Sequence, residues 1–205
     1  CRELWSSAEQ QQNYLPGVPE GSDLCITPVS APENHYVRIK ADNRLDADGT
    51  LRGTFTLTAE GQSDSNIRRI FTTGFRSEWK NTMESQLLAI SPKAKLLSVD
   101  YGKNPKDYQA APIKITFRYE IPDYALKGEK EMFFRPLVMN NLYNQVRSYL
   151  RIDTSLEERK YGFKDGCSRL VELDETIQLP AGYKLANADK NETMQGTGAD
   201  FEGSL

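Results

Sequence analysis

The cysteines and the single histidine come first, because thiolates and imidazoles carry much of nucleophilic and metal chemistry. The chain has three cysteines, Cys1, Cys25 and Cys167, and one histidine, His35. A thiol protease or a transglutaminase needs a thiolate, a histidine base and an orienting carboxylate or amide. Cys25 lies ten residues before His35, in a strand-like run rather than at a helix N-terminus, the position that activates catalytic thiols. We expect no Cys25–His35 dyad, with Cys25 in the core and His35 at the surface.

The spacing of the cysteines excludes the common metal and redox motifs. No CxxC pair is present, so neither a zinc ribbon nor a dithiol site is written in the chain. A Cys25–Cys167 disulfide and two free, buried thiols both remain open. Cys1 also has two interpretations. It stands where an exported bacterial lipoprotein carries its lipid, or it is an arbitrary first residue.

Acidic clusters are the next candidates for chemistry. The segment Asp46-Ala47-Asp48-Gly49 resembles part of a calcium loop, but the later bidentate glutamate is missing, so a hairpin turn explains it better. The pairs Glu157-Glu158 and Asp174-Glu175 offer two adjacent carboxylates each. Adjacent residues of a strand point to opposite faces, which suits surface charges better than acid–base catalysis. We therefore predict no catalytic, cofactor-binding or metal-ligating residue.

Tyrosines of the second half are numerous enough for a sugar-stacking platform, although tyrosine is also common in ordinary strands. Those that carry this alternative are Tyr101, Tyr108, Tyr119, Tyr124, Tyr143 and Tyr149. The platform would require these rings to lie exposed along one face of a sheet.

Composition narrows the class of protein. The chain has 205 residues, 38% of them hydrophobic and 10% aromatic, which is enough for one sizeable core. The net charge is −3, so nucleic-acid binding is disfavoured because it needs a dense basic face. No run of eighteen apolar residues occurs, so we expect no transmembrane segment.

Alternating polarity predicts strands on both sides of a central helical region. Residues 35–45 and 50–60 alternate around Asp48-Gly49, which predicts a hairpin with a type I′ turn. Residues 113–121 alternate most regularly, and Phe201 suggests a last strand. Residues 168–179 suggest a long strand whose candidate core positions are Val171, Leu173, Ile177 and Leu179.

Helical spacing marks the region 62–91. Phe75, Trp79, Met83 and Leu87 recur every four residues and would form one apolar stripe. A stripe of this kind either packs on a sheet or docks a membrane or partner, and we expect packing. The fold class is therefore α+β, mainly β: an antiparallel β-sandwich with the segment 62–91 on one face.

Several segments together resemble a known arrangement of domains. Residues 4–28, LWSSAEQQQNYLPGVPEGSDLCITP, resemble the tail of a transglutaminase-like core from exported Gram-negative bacterial proteins. Residues 34–61, the helical Ile67-Arg68-Arg69, the strand at 112–125 and residues 177–183 resemble the β-rich domain of unknown function that follows this core. The resemblance implies that residues 1–28 are the tail of the preceding core and that residues 29–205 are the β-rich C-terminal domain.

The same resemblance implies a function. The chain would be a non-catalytic accessory module of an exported transglutaminase- or protease-like protein, bracing the core or presenting a partner. The family's catalytic cysteine, histidine and Asp-Pro-Thr segment have no counterpart here, so no catalytic residue, cofactor or metal is carried over. The implied partner is the preceding core of the same chain, and the implied location is periplasmic or cell-surface, with a lipid anchor at Cys1 left open. The alternative function is a carbohydrate- or peptide-binding surface module of a bacterial lipoprotein.

Overall fold

A computed structural model of the chain describes residues 9–109, 112–138, 157–158, 160–161, 167–186 and 190–204. Cys1, Tyr143 and Tyr149 lie outside these residues. The described strands are β1 (Asn13–Tyr14), β2 (Cys25–Ile26), β3 (Val37–Leu45), β4 (Leu51–Ala59), β5 (Lys95–Asp100), β6 (Ile113–Ile121), β7 (Leu126–Lys127), β8 (Met132–Phe133), β9 (Val171–Gln178), β10 (Asn191–Gln195) and β11 (Asp200–Ser204). The helices are α1 (Gly61–Thr72) and α2 (Trp79–Leu88), with short 3₁₀ turns at Pro32–His35 and Arg76–Glu78.

The main sheet has five strands in the order β5-β6-β4-β3-β9. All neighbours are antiparallel except β3 and β9, which run parallel with Val37 opposite Val171. The other described strands form three two-stranded sheets, β1-β2, β7-β8 and β10-β11. The α+β, mainly β class is confirmed, and the predicted helical region does lie on one face of the sheet.

The β3–β4 hairpin forms where the alternation placed it, but its turn differs from the expected type. The Gly49 amide donates to the Asp46 carbonyl at 2.9 Å, and the Asp46 amide donates to Thr50. Within this turn only Gly49 has a positive φ, of 88°, whereas a type I′ turn needs two such residues. The predicted type I′ turn is therefore wrong. A longer turn with one left-handed glycine connects the strands, and Asp48 caps it by accepting the Thr50 amide at 2.9 Å.

The apolar stripe of the helical region is core along most of its length. Trp79, Met83 and Leu87 are buried against β4, β5 and β6, together with Phe71 of α1. The Trp79 indole also donates to the Phe71 carbonyl at 3.3 Å. Phe75 is 76% exposed, so the expectation that it continues the stripe is wrong. Because α2 begins only at Trp79, the residue four positions earlier lies before the 3₁₀ turn and outside the helical face.

A buried arginine ties α1 to the loop between β5 and β6. The Arg68 guanidinium contacts Asp64 at 2.6 Å and donates to the carbonyls of Pro105 at 3.0 Å and Asp107 at 2.9 Å. Asp64 in turn accepts the backbone amide of Ile113, the first residue of β6, at 2.7 Å. One ion pair inside the fold therefore positions both the loop and the start of a central strand.

The far edge of the sheet departs from the predicted burial. Val171 and Leu173 of β9 are exposed, although alternation placed them in the core, whereas Ile177 is half-buried and packs against the core. Strand β9 is an edge strand, so its side chains meet fewer neighbours than those of β4 or β6. The opposite, polar face of the sheet carries cross-strand ion pairs such as Arg52 with Glu120 at 2.9 Å.

Candidate functional site

The two residues of the considered thiol dyad bind different groups. Neither Cys25 nor Cys167 forms a disulfide. The Cys25 thiol is half-buried and donates to the Asp23 carbonyl at 3.5 Å. His35 is only 1% exposed, and its Nδ1 accepts the backbone amide of Gln62 at 3.0 Å. The expectations of a core Cys25 and a surface His35 are therefore wrong. The short sequence distance between Cys25 and His35 gave no sign that His35 accepts a hydrogen bond from the first turn of α1.

His35 holds the start of α1. The Ser63 hydroxyl donates to the His35 carbonyl at 2.9 Å, next to the Gln62 amide on the ring. Gly61 comes so close to the ring that a Cβ there would lie 2.4 Å from Nδ1. Burial, and after it the positive charge of Arg169, lower the pKa of His35, so the neutral ring that can accept a hydrogen bond is favoured.

Residues 9–31 form an extended segment, here called the N-terminal arm, that is fastened to the fold. The side-chain amide of Gln10 lies 3.2 Å from His35 Nε2, and its carbonyl oxygen accepts the Ser30 amide at 3.0 Å. Within the arm, β1 pairs with β2, and the Gln12 amide donates to the Thr27 hydroxyl at 2.8 Å. The contact between Gln10 and His35 joins the arm to the fold, whereas the other bonds close the arm on itself.

The N-terminal arm exposes several apolar side chains within the described part of the chain. Leu24 and Ile26 are 65% and 66% exposed. Further exposed apolar residues of the arm are Tyr14, Leu15, Val18 and Val29. Six apolar side chains exposed along one short segment exceed the scattered single ones of an ordinary protein surface, which suits a contact surface.

The carboxylates of the segment Asp46–Asp48 form ion pairs and a turn hydrogen bond within the fold. Asp46 pairs with Arg44 at 2.9 Å and also with Arg52 across the hairpin. The Thr50 amide lowers the pKa of Asp48, because its hydrogen bond favours the carboxylate. Glu157 and Glu158 are exposed. Among the residues that the structure describes, no group of three His, Cys, Asp or Glu side chains is arranged to hold a metal.

Asp174 and Glu175 lie on opposite faces, as expected for neighbours in a strand, and Glu175 joins a network that alternation alone did not predict. Asp174 approaches Lys40 at 3.8 Å on the polar face. On the other face Glu175 accepts Asn43 Nδ2 at 2.7 Å and the backbone amides of Leu137 and Val138 at 3.1 and 2.9 Å. The carboxylate therefore fastens the 137–138 segment to the sheet.

The network continues into the core through Asn43. Its side-chain oxygen accepts the hydroxyl of Tyr119, which is buried and reaches across β4 to β3. Gly53 lies between them on β4, and a Cβ there would be 2.0 Å from Asn43 Oδ1. Burial raises the pKa of Tyr119, so the hydroxyl stays protonated and donates. The available signal was a polar Asn43 and a side-chain-free Gly53 at inward positions of two apolar strands.

The described tyrosines do not line one exposed sheet face. Tyr119 is buried, Tyr101 packs edge-on against Phe71 and Trp79, and the Tyr124 hydroxyl donates to the Arg135 carbonyl. Of the candidate platform tyrosines that the structure describes, Tyr108 is exposed, and it lies in the loop that Arg68 holds. Within the described part of the chain, these rings therefore form no row that could stack against a sugar.

A shallow depression of about 380 Å³ lies between α2 and the edge strand β5. It is lined by Arg76, Trp79, Lys80, Leu97, Ser98, Val99 and Tyr101, and we call it the basic groove. Arg76 and Lys106 each approach the Trp79 ring to within 6 Å, at 5.9 and 5.8 Å. The buried Tyr101 hydroxyl has no hydrogen-bond partner among the described residues, and burial raises the pKa of Tyr101.

Comparison of the chain with protein-family models, with curated proteins and with solved structures found no match. In the described part of the chain, no helix is long and apolar enough to cross a membrane.

Proposed function

We propose that this chain is a non-catalytic accessory module that braces a neighbouring domain of the same polypeptide, which its resemblance to the β-rich domain of exported transglutaminase-like proteins identifies as a preceding core. The observation that carries the proposal is the N-terminal arm, which is fastened to the fold through Gln10 and His35 and presents Leu24 and Ile26 outward. A fixed apolar surface at this end suits contact with a preceding domain.

The bonds that the polar side chains of the fold make favour a structural module. Arg68 binds loop carbonyls, His35 accepts the Gln62 amide, and Glu175 accepts the amides of Leu137 and Val138. Each of these side chains makes hydrogen bonds to backbone groups of the chain. A catalytic acid, base or nucleophile must instead face a cleft. Export to the periplasm or the cell surface belongs to the proposal and rests on the resemblance alone.

Hydrogen exchange tests the bracing role directly. The amides of residues 13–29 are measured in this chain and in a polypeptide that includes the natural upstream sequence. We expect slower exchange in the longer polypeptide, because a preceding core would cover Leu24 and Ile26. The double variant Leu24→Ser/Ile26→Ser should abolish that extra protection, while Leu126→Ser, at an exposed residue away from the arm, should retain it. Equal exchange in the two polypeptides would refute the bracing role.

Activity measurements test the non-catalytic part. We expect this chain to turn over no peptide or amide substrate, because Cys25 and His35 bind different groups. Turnover that disappears in Cys25→Ala but persists in Cys167→Ala would show that the accessory interpretation is wrong.

A further inference from the structure

Strands β10 and β11 form a hairpin that lacks a partner surface in the described part of the chain. They pair from Asn191 opposite Ser204 to Gln195 opposite Asp200, and almost every residue is exposed. Met194 and Phe201 lie directly opposite each other and remain 67% and 50% exposed. A lone two-stranded hairpin is marginally stable in water, so such a pair is expected to gain stability by packing on another surface.

The hairpin is also acidic. Glu192, Asp200 and Glu202 carry three negative charges, and the neighbouring Lys190 carries one positive charge. Glu192 shares a hairpin face with Met194 and Phe201, because side chains two residues apart in a strand point the same way. The apolar pair therefore has a carboxylate beside it, and further carboxylates lie on the other face.

The basic groove has the complementary properties. Arg76 and Lys80 are exposed at its rim, and no ion pair engages either of them among the described residues. Leu97 is 50% exposed and offers apolar surface. Strand β5 is the edge of the main sheet, so its outer backbone groups are free of strand pairing in the described residues. An open edge of this kind accepts an added strand.

We propose that the basic groove of one copy of this chain receives the β10–β11 hairpin of a second copy. Met194 and Phe201 would cover Leu97 and the rim of Trp79. Glu192, on the same face of the hairpin, would meet Arg76 and Lys80, while Glu202 on the other face adds to the negative charge of the hairpin. The occupant is a second copy because the hairpin is left exposed by the described part of its own chain. Exchange of hairpins in both directions closes a symmetric dimer, since each copy then gives one hairpin and receives one.

Charge reversal with rescue tests this assembly. The measurement is sedimentation equilibrium of the whole chain over a range of concentrations. The wild type should show a concentration-dependent shift from monomer to dimer. Arg76→Glu/Lys80→Glu should weaken dimerisation at least about tenfold, because like charges then face each other. Glu192→Lys/Glu202→Lys should weaken it similarly, and added salt should weaken the wild-type dimer.

Two combinations distinguish the proposed contact from a general charge effect. An equimolar mixture of the two double variants should regain dimer, because each groove then faces a hairpin of opposite charge. The quadruple variant should also dimerise by itself. Lys127→Glu/Lys130→Glu, at exposed lysines near the β7–β8 turn, should leave the dimer unchanged. Far-ultraviolet circular dichroism checks that each variant is folded.

Three results would overturn the proposal. A wild type that stays monomeric at every concentration excludes the contact, as does a dimer that the groove reversal leaves unchanged. A mixture of the two double variants that fails to regain dimer would show that the hairpin and the groove do not meet.

Discussion

Under the helices, strands β4, β5 and β6 pack apolar side chains against Phe71, Trp79 and Met83, whereas at the other edge β9 is held partly by a carboxylate. On β9 Val171 and Leu173 are exposed, and Glu175 binds Asn43 and two backbone amides. The two halves of one sheet therefore depend on different forces. Apolar burial is non-directional and follows the sequence period, while the network at β9 needs specific atoms at specific distances.

The largest effect is expected from emptying the helix-covered half. Trp79→Ala should destabilise by about 3–5 kcal/mol, as large-to-small truncations in cores do. The matched control is Phe75→Ala. Phe75 stands four residues before Trp79 but is exposed, so its truncation should change the free energy of unfolding by less than about 0.5 kcal/mol. Urea unfolding followed by circular dichroism measures both. Equal losses for Trp79 and Phe75 would contradict the described burial of the stripe.

The next effect should come from the β9 half. Glu175→Ala should cost about 2–3 kcal/mol, because Asn43 and the amides of Leu137 and Val138 lose a charged acceptor. Asp174→Ala, one residue away on the polar face, removes only an exposed pair with Lys40 and should cost less than about 1 kcal/mol. Urea unfolding measures both variants. A Glu175 variant as stable as the Asp174 variant would show that the Glu175 network does not stabilise the β9 half of the sheet.

A smaller effect should come from the hairpin that both halves share. Gly49→Val places a β-branched residue at a φ of 88°, with the Ala125 carbonyl 3.0 Å from the new Cβ. We expect a loss of roughly 1–2 kcal/mol from the left-handed backbone. Gly17→Val is the control, since Gly17 has open space around it and no positive φ. An unchanged melting temperature for Gly49→Val would show that the turn does not require glycine.

The smallest effect should be a pH dependence at His35. Because the folded pKa lies below the ordinary value of 6.5, the unfolded chain binds the proton more readily. The contribution of neutral His35 is complete above pH about 6.5, declines as the pH falls toward the folded pKa, and changes no further below it. The difference in unfolding free energy between His35→Gln and wild type, measured from pH 7.5 down to 5, should shrink as the pH falls. A constant difference would exclude this linkage.

The sequence by itself determined the class of the fold and the position of its regular strands. Alternation places β3, β4 and β6 within two residues of their observed ends. Side chains of a strand alternate between its two faces, so only one placement puts all the apolar residues on the covered face. Helical spacing likewise identified Trp79, Met83 and Leu87 as core.

Tertiary structure decided the rest, because it depends on residues far apart in the chain. The parallel return of β9 beside β3 brings Glu175 within 2.7 Å of Asn43, a contact between residues 132 positions apart. Burial of His35 depends on the arm and on the first turn of α1, and the exposure of Phe75 depends on where α2 begins. Local patterns record which side of an element is apolar. They do not record which distant backbone amide or carbonyl a polar side chain will bind.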